Sequence, residues 1–227
     1  MIMNKNKTSL KTLFMAAGVL TAGAISGTPL FAGDDESEKR DLSTFHTIVV
    51  KGAIDLDVRV GRKQSVHVSV EDMKLSDVKT TVKDGILYID TLKEKSVWGG
   101  RHQSGEVNLS LSMEKFNGIK VKGAVDGDIS GIDSKDMFIT ISGAADLNLS
   151  GSCGTLEMDV RGAGDLDAED LKCKAVDVSI SGAGDAEVYA SDRIKAVVSG
   201  VGNIDILGNP KDVTKKVRGL GSIKVKS

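Results

Sequence analysis

The residues with most chemistry in this sequence are carboxylates in a regular series. Asp126 and Asp128, Asp146 and Asn148, Asp165 and Asp167, Asp185 and Glu187, and Asn203 and Asp205 recur about every nineteen residues, two places apart within each pair. Paired carboxylates can hydrolyse a glycosidic bond, one as acid and one as base or nucleophile, or they can hold a hard cation such as calcium. A catalytic pair needs two unlike environments that push its pKa values apart. A ladder of equal steps supplies none. His46, His67 and His102 stand in unrelated contexts, and no serine or cysteine nucleophile motif accompanies them. The sequence therefore assigns no catalytic, cofactor-binding or metal-binding residue, and no cofactor. Calcium-binding β-rolls repeat a glycine- and aspartate-rich nonapeptide; this repeat is twice as long and does not match it.

The carboxylates belong to a longer unit. Gly123-Ala124-Val125-Asp126 returns as Gly143-Ala144-Ala145-Asp146, Gly162-Ala163-Gly164-Asp165 and Gly182-Ala183-Gly184-Asp185, with weaker copies at Gly200-Val201-Gly202-Asn203 and Gly219-Leu220-Gly221-Ser222. Two and four places before the glycine stand apolar residues: Ile119 and Val121, Ile139 and Ile141, Met158 and Val160, Val178 and Ile180. The fifth and seventh motif positions are mostly apolar too, as in Leu147 and Leu149 or Ile204 and Ile206. Alternation with period two on both sides of a glycine predicts a half-buried strand, a corner, and another half-buried strand. Repetition at a fixed short period predicts an array in which each unit buries its apolar face against its neighbours. The fold class is all-β, a parallel β-helix-like solenoid of about 19–20 residues per coil.

Within such a coil the motif has an architectural role. Glycine permits close backbone approach, the alanines stack as a ladder, and aspartate in fourth place can bond exposed N–H groups of the turn. The fourth and sixth residues point outward together, so the stripe is acidic. Two like charges one strand spacing apart cost about 0.9 kcal/mol even in water. Backbone N–H groups, the cations Lys122, Arg161 and Arg218, or bound calcium could relieve that repulsion.

The remainder of the chain frames this array. Residues 1–32 read as a secretory signal peptide: Lys5, Lys7 and Lys11 precede the apolar run from Leu13 to Leu20, and cleavage is expected after Ala32, with Ala24 as the alternative. Residues 33–43 read as a mobile mature N-terminus, and 44–227 as one solenoid domain. Without the leader's lysines the balance of 30 cations and 32 carboxylates moves to about −5. An acidic chain without basic clusters argues against nucleic-acid binding, and no membrane span is expected in the mature chain. Phe45 to Asp57 matches Phe116 to Asp128 position by position, including Gly52-Ala53-Ile54-Asp55. Residues 61–112 read as antiparallel strands covering the first coil, with Asp84-Gly85 as a hairpin turn, because an open sheet edge invites pairing. A polar loop around Trp98, Arg101 and His102 either anchors a partner or folds back over the core end. Cys153 and Cys173 occupy equivalent places on adjacent repeats; a disulfide is open to them in an oxidising compartment, although parallel in-register neighbours are poorly oriented for one.

The leader, the Phe-x-x-Ile-x-Val-x-Gly openings at Phe45 and Phe116, and the copies of Ser181-Gly182-Ala183-Gly184-Asp185 resemble the DUF2807 family of auto-transporter adhesin head GIN domains. The resemblance spans Leu42 to Lys226. It implies a right-handed parallel β-helix-like fold in bacterial envelope proteins, and it implies no reaction. The expected function is an exported, non-enzymatic binding or scaffolding protein, periplasmic or on the surface, with an unknown protein or glycan partner. The alternatives are a glycan-active β-helix enzyme and a calcium-stabilised structural module.

Overall fold

The computed structural model describes residues 36–91 and 105–226, all within one compact unit, Gly33–Ser227. Fifteen strands follow in chain order: β1 (Glu36–Lys39), β2 (Thr47–Lys51), β3 (Ala53–Val60), β4 (Ser65–Glu71), β5 (Lys79–Lys83), β6 (Ile86–Asp90), β7 (Glu106–Met113), β8 (Gly118–Val121), β9 (Ala124–Ile141), β10 (Ala144–Val160), β11 (Ala163–Ile180), β12 (Ala186–Val198), β13 (Val201–Leu207), β14 (Asp212–Val217) and β15 (Leu220–Val225). They form a β-solenoid of about five turns with parallel stacked coils.

Each coil has two walls. The strand after the motif glycine builds one wall, in the order β3, β9, β10, β11, β12, β13, β15. The strand before the next glycine builds the other, where β2 pairs β8, β8 pairs the second half of β9, and β12 pairs β14. Every second residue of both walls points inward and is buried: Ile119, Ile139, Met158 and Val178 in one wall, Ile54, Val125, Leu147 and Leu166 in the other. They belong to one continuous core. β9 and β10 turn from wall to wall at a glycine in the left-handed region, with φ +73° at Gly131 and +133° at Gly151, whereas β11 and β12 make the same passage without a glycine.

The covering segment is more solenoid-like than its hairpin signal suggests. β5 and β6 are antiparallel, and so are β4 and β7. However, β6 pairs parallel with β2, and β7 pairs parallel with β3. Thus β6 and β7 make a further coil beneath β2–β3, and only β4, β5 and β1 cover it. The expected mobile stretch 33–43 also differs from the structure over its later part. β1 is zipped antiparallel to β4. The Arg40 guanidinium then donates to Val78 O (2.7 Å), Thr80 Oγ1 (2.9 Å) and Leu75 O (3.1 Å), tying β1 to the covering segment. The opposite end is barer, with Val213, Val217, Leu220 and Val225 exposed.

Candidate functional site

The motif residues align in columns. Ala53, Ala124, Ala144 and Ala163 are register partners along one outer row, continued by bridges to Ala183 and Val201. Asp55, Asp126, Asp146 and Asp165 form the row beside it, and Asp57, Asp128, Asn148, Asp167, Glu187 and Asp205 the row beyond. The first two rows line a shallow groove of about 580 Å³ that runs along the axis from Ala53 to Gly184. Ala53 and Asp55 lengthen the stripe by one coil beyond the serial repeats. The match between Gly52-Ala53-x-Asp55 and Gly123-Ala124-x-Asp126 is the signal that locates them.

Close packing of the corners dictates glycine. A Cβ on Gly143 would stand 1.9 Å from Gly123 O, and one on Gly162 would stand 1.8 Å from Gly143 O. No side chain fits there, so the corners stack backbone on backbone and fix the register of the rows above them.

The repulsion along the stripe is relieved by protein donors. Asp165 Oδ1 accepts the N–H of Asp185 (3.2 Å), and Asp185 Oδ1 accepts the N–H of Asn203 (2.6 Å) and its side-chain amide (3.0 Å). Asn203 Oδ1 in turn accepts the N–H (3.1 Å) and hydroxyl (2.8 Å) of Ser222. The acceptor bonds begin where β12 starts late, at Ala186; the Ala183 and Gly184 N–H groups still bond main-chain carbonyls of the neighbouring coils, and the Asp185 N–H goes to the Asp165 carboxylate. Of the three cations expected to help, Arg161 pairs instead with Asp159 on the other wall (2.6 Å). The cations that do reach the carboxylate rows are Lys226, at 2.9 Å from Asp205 and 3.4 Å from Glu187, and Arg59, at 3.3 Å from Asp57. Burial, then the charges of Glu106 and Asp126, raise the Asp55 carboxyl above the ordinary 3.8.

Residues 44–210 match the DUF2807 family, described as "Putative auto-transporter adhesin, head GIN domain". The chain belongs to this family. A solved structure of a putative adhesin from Bacteroides fragilis is similar to this DUF2807 chain with a TM-score of 0.66 and 23% identity, over 85% of this chain and 97% of that one. It shows the shared fold. A putative adhesin from Parabacteroides merdae has a TM-score of 0.46 at 15% identity, over 86% of this chain and 98% of that one. A putative lipid binding protein from Parabacteroides distasonis has 0.44 at 17%, with the same coverage of 86% and 98%. No curated protein matches the sequence.

Three other residues of this head GIN domain are singled out by the sequence. Cys153 and Cys173 are register partners in β10 and β11, both buried, and are joined by a disulfide with Cα atoms 4.4 Å apart. Trp98, with its loop, lies outside the described residues. Among the described residues, no group of three or more histidine, cysteine or acidic side chains is placed to hold a metal ion.

Proposed function

We propose that this DUF2807 chain is an exported, non-enzymatic binding or scaffolding module of a Gram-negative-type envelope, adhesin-like in action, that offers its alanine–aspartate groove to an extended glycan or protein. The observation that carries this reading is the evenness of the groove. From Ala53 and Asp55 to Ala163 and Asp165 it repeats an exposed methyl group on its floor and a carboxylate beside it, at steps of about 4.8 Å. Such a surface suits a partner that is itself repetitive and extended, and it singles out no reacting atom. Export, to the periplasm or the cell surface, is supported by the leader-like composition of residues 1–32, by the family, and by a disulfide of the kind that persists in oxidising compartments.

The test is a crosslinked pull-down from the native envelope, paired with a glycan array. Asp126→Lys with Asp128→Lys reverses charge in mid-groove without touching the carboxylates that carry coil-to-coil bonds. Loss of capture is the expected result. Undiminished capture by that variant, and by Trp98→Ala, would remove both surfaces as the binding site.

A further inference from the structure

The covering segment interrupts the acidic face with a pocket of opposite character. On the outer side of β3, β7 and β4, Arg59 pairs in register with Ser112, and Ser112 with Ser65; in the next row Asp57 pairs with Ser110, and Ser110 with His67. Strand alternation places all six on one face. The serines are short and the flanking side chains long, so the hydroxyls form the floor of a hollow of about 550 Å³. The turn after β3, where Gly61 takes φ +77°, brings Arg62 and Lys63 over one end. The Arg62 N–H donates to Met113 O (3.1 Å), and Ser112 Oγ donates to Lys63 O (2.6 Å), which hold that turn against the floor.

The charges are unbalanced. Arg59 is neutralised by Asp57 at 3.3 Å. Among the described residues, Arg62 and Lys63 have no carboxylate partner, and both line the same hollow. Two unpaired cations over a hydroxyl floor, in a concave site, are the chemistry that recognises an oxyanion. The guanidinium fork matches it in a plane, the ammonium adds charge, and Ser110 offers an O–H.

We propose that this pocket binds a single sulfate or phosphate ester carried on an otherwise neutral glycan. The surroundings select that form of the anion. Asp57 lines the pocket but is held by Arg59, Asp55 follows two places back along β3, and Asp126 and Asp128 lie one coil further. These are distances at which charges are incompletely screened, the Debye length being about 8 Å in physiological salt. A continuous polyanion leaving the pocket meets that acidic face and is repelled. A membrane surface is disfavoured because the exposed large apolar side chains sit on β13, β14 and β15, at the far end of the solenoid. The hollow is of a size that takes a few sugar units. The proposal rests on the envelope-binding reading only for the source of the glycan, and its surface is separate from the alanine–aspartate groove.

The experiment is calorimetric titration of the full chain with inorganic phosphate, N-acetylglucosamine 6-sulfate, unmodified N-acetylglucosamine, heparin and phosphatidylglycerol vesicles. The sulfated sugar is expected to bind and the neutral sugar to be silent. Arg62→Ser with Lys63→Ser should weaken the sulfated sugar by about tenfold or more, while Lys195→Ser, on the other wall, leaves it unchanged. Ser110→Glu, which leaves the turn intact, should have the same effect by placing a carboxylate on the floor. Equal binding by wild type and both pocket variants overturns the proposal, as does tighter binding of heparin or vesicles than of the sulfated sugar. Inorganic phosphate binding with no response to the sugar ester overturns the glycan part. Any of these results leaves capture through the Asp126–Asp128 surface unaffected, so the two readings fail separately.

Discussion

The Asp185 carboxylate accepts two hydrogen bonds from Asn203 on the following coil, at 2.6 Å from its backbone N–H and 3.0 Å from its amide. The bonds are solvent-exposed but charge-assisted. Asp185→Ala should cost about 1 kcal/mol in urea unfolding, and it should raise the hydrogen-exchange rate of the Asn203 amide. Asp185→Asn, which keeps an acceptor, should lose less. Equal losses would mean that charge, and not the acceptor, matters there.

Asp55 gives the stripe a pH dependence. Its carboxyl is raised above 3.8 by burial first, and then by Glu106 and Asp126. The folded state therefore binds this proton more tightly than the unfolded chain does. The contribution of Asp55 to stability falls as pH rises from 3.8 through its raised value, and it stays low above that. Asp55→Asn should melt higher than wild type at about pH 7, with the gain vanishing at about pH 3. A gain that persists in acid would contradict this origin.

At the corners, substitution should be severe for a small change. Gly162→Ala directs a methyl group at the Gly143 carbonyl, 1.8 Å away, and main chain cannot swing aside as a side chain can. A loss of about 3 kcal/mol is expected in chemical denaturation. Gly162→Ser should be no milder, since the obstructing atom is Cβ itself.

The disulfide staples β10 to β11 across a separation of 20 residues. Closing a loop of that length stabilises by about 3 kcal/mol in the chain-entropy account. Cys153→Ser with Cys173→Ser should lower stability by about that amount while leaving strand content unchanged by circular dichroism. An unaltered denaturation midpoint in oxidised and reduced protein would show that the staple adds nothing.

The coils were readable because their specifying residues are local. Gly162, Ala163 and Asp165 sit together in sequence, and each stacks on its own equivalent, so one repeat announces the register of the next. The role of β6 and β7 was not readable. Asp84-Gly85 declares that β5 and β6 form a hairpin, but alternation in Ile86–Asp90 says only that one face is buried. It cannot say that β2, far back in the chain, lies on the other side. The pocket over Ser110 and Ser112 was hidden for the same reason. Arg62 and Lys63 meet those serines only through a long-range parallel pairing. The partners of the stripe were half legible: aspartate bonding to exposed N–H groups was expected, whereas Lys226 serving Asp205 depends on where the last described coil closes.

The position of β2 has a consequence for how the molecule assembles. It lies between β6 and β8, both of which come later in the chain. A polypeptide delivered from its amino end cannot finish its earliest coil until Val121 has emerged. From β10 onward, each new coil can settle on one already in place. Folding of the first half must therefore wait and then happen at once, while the rest can zip up turn by turn behind it.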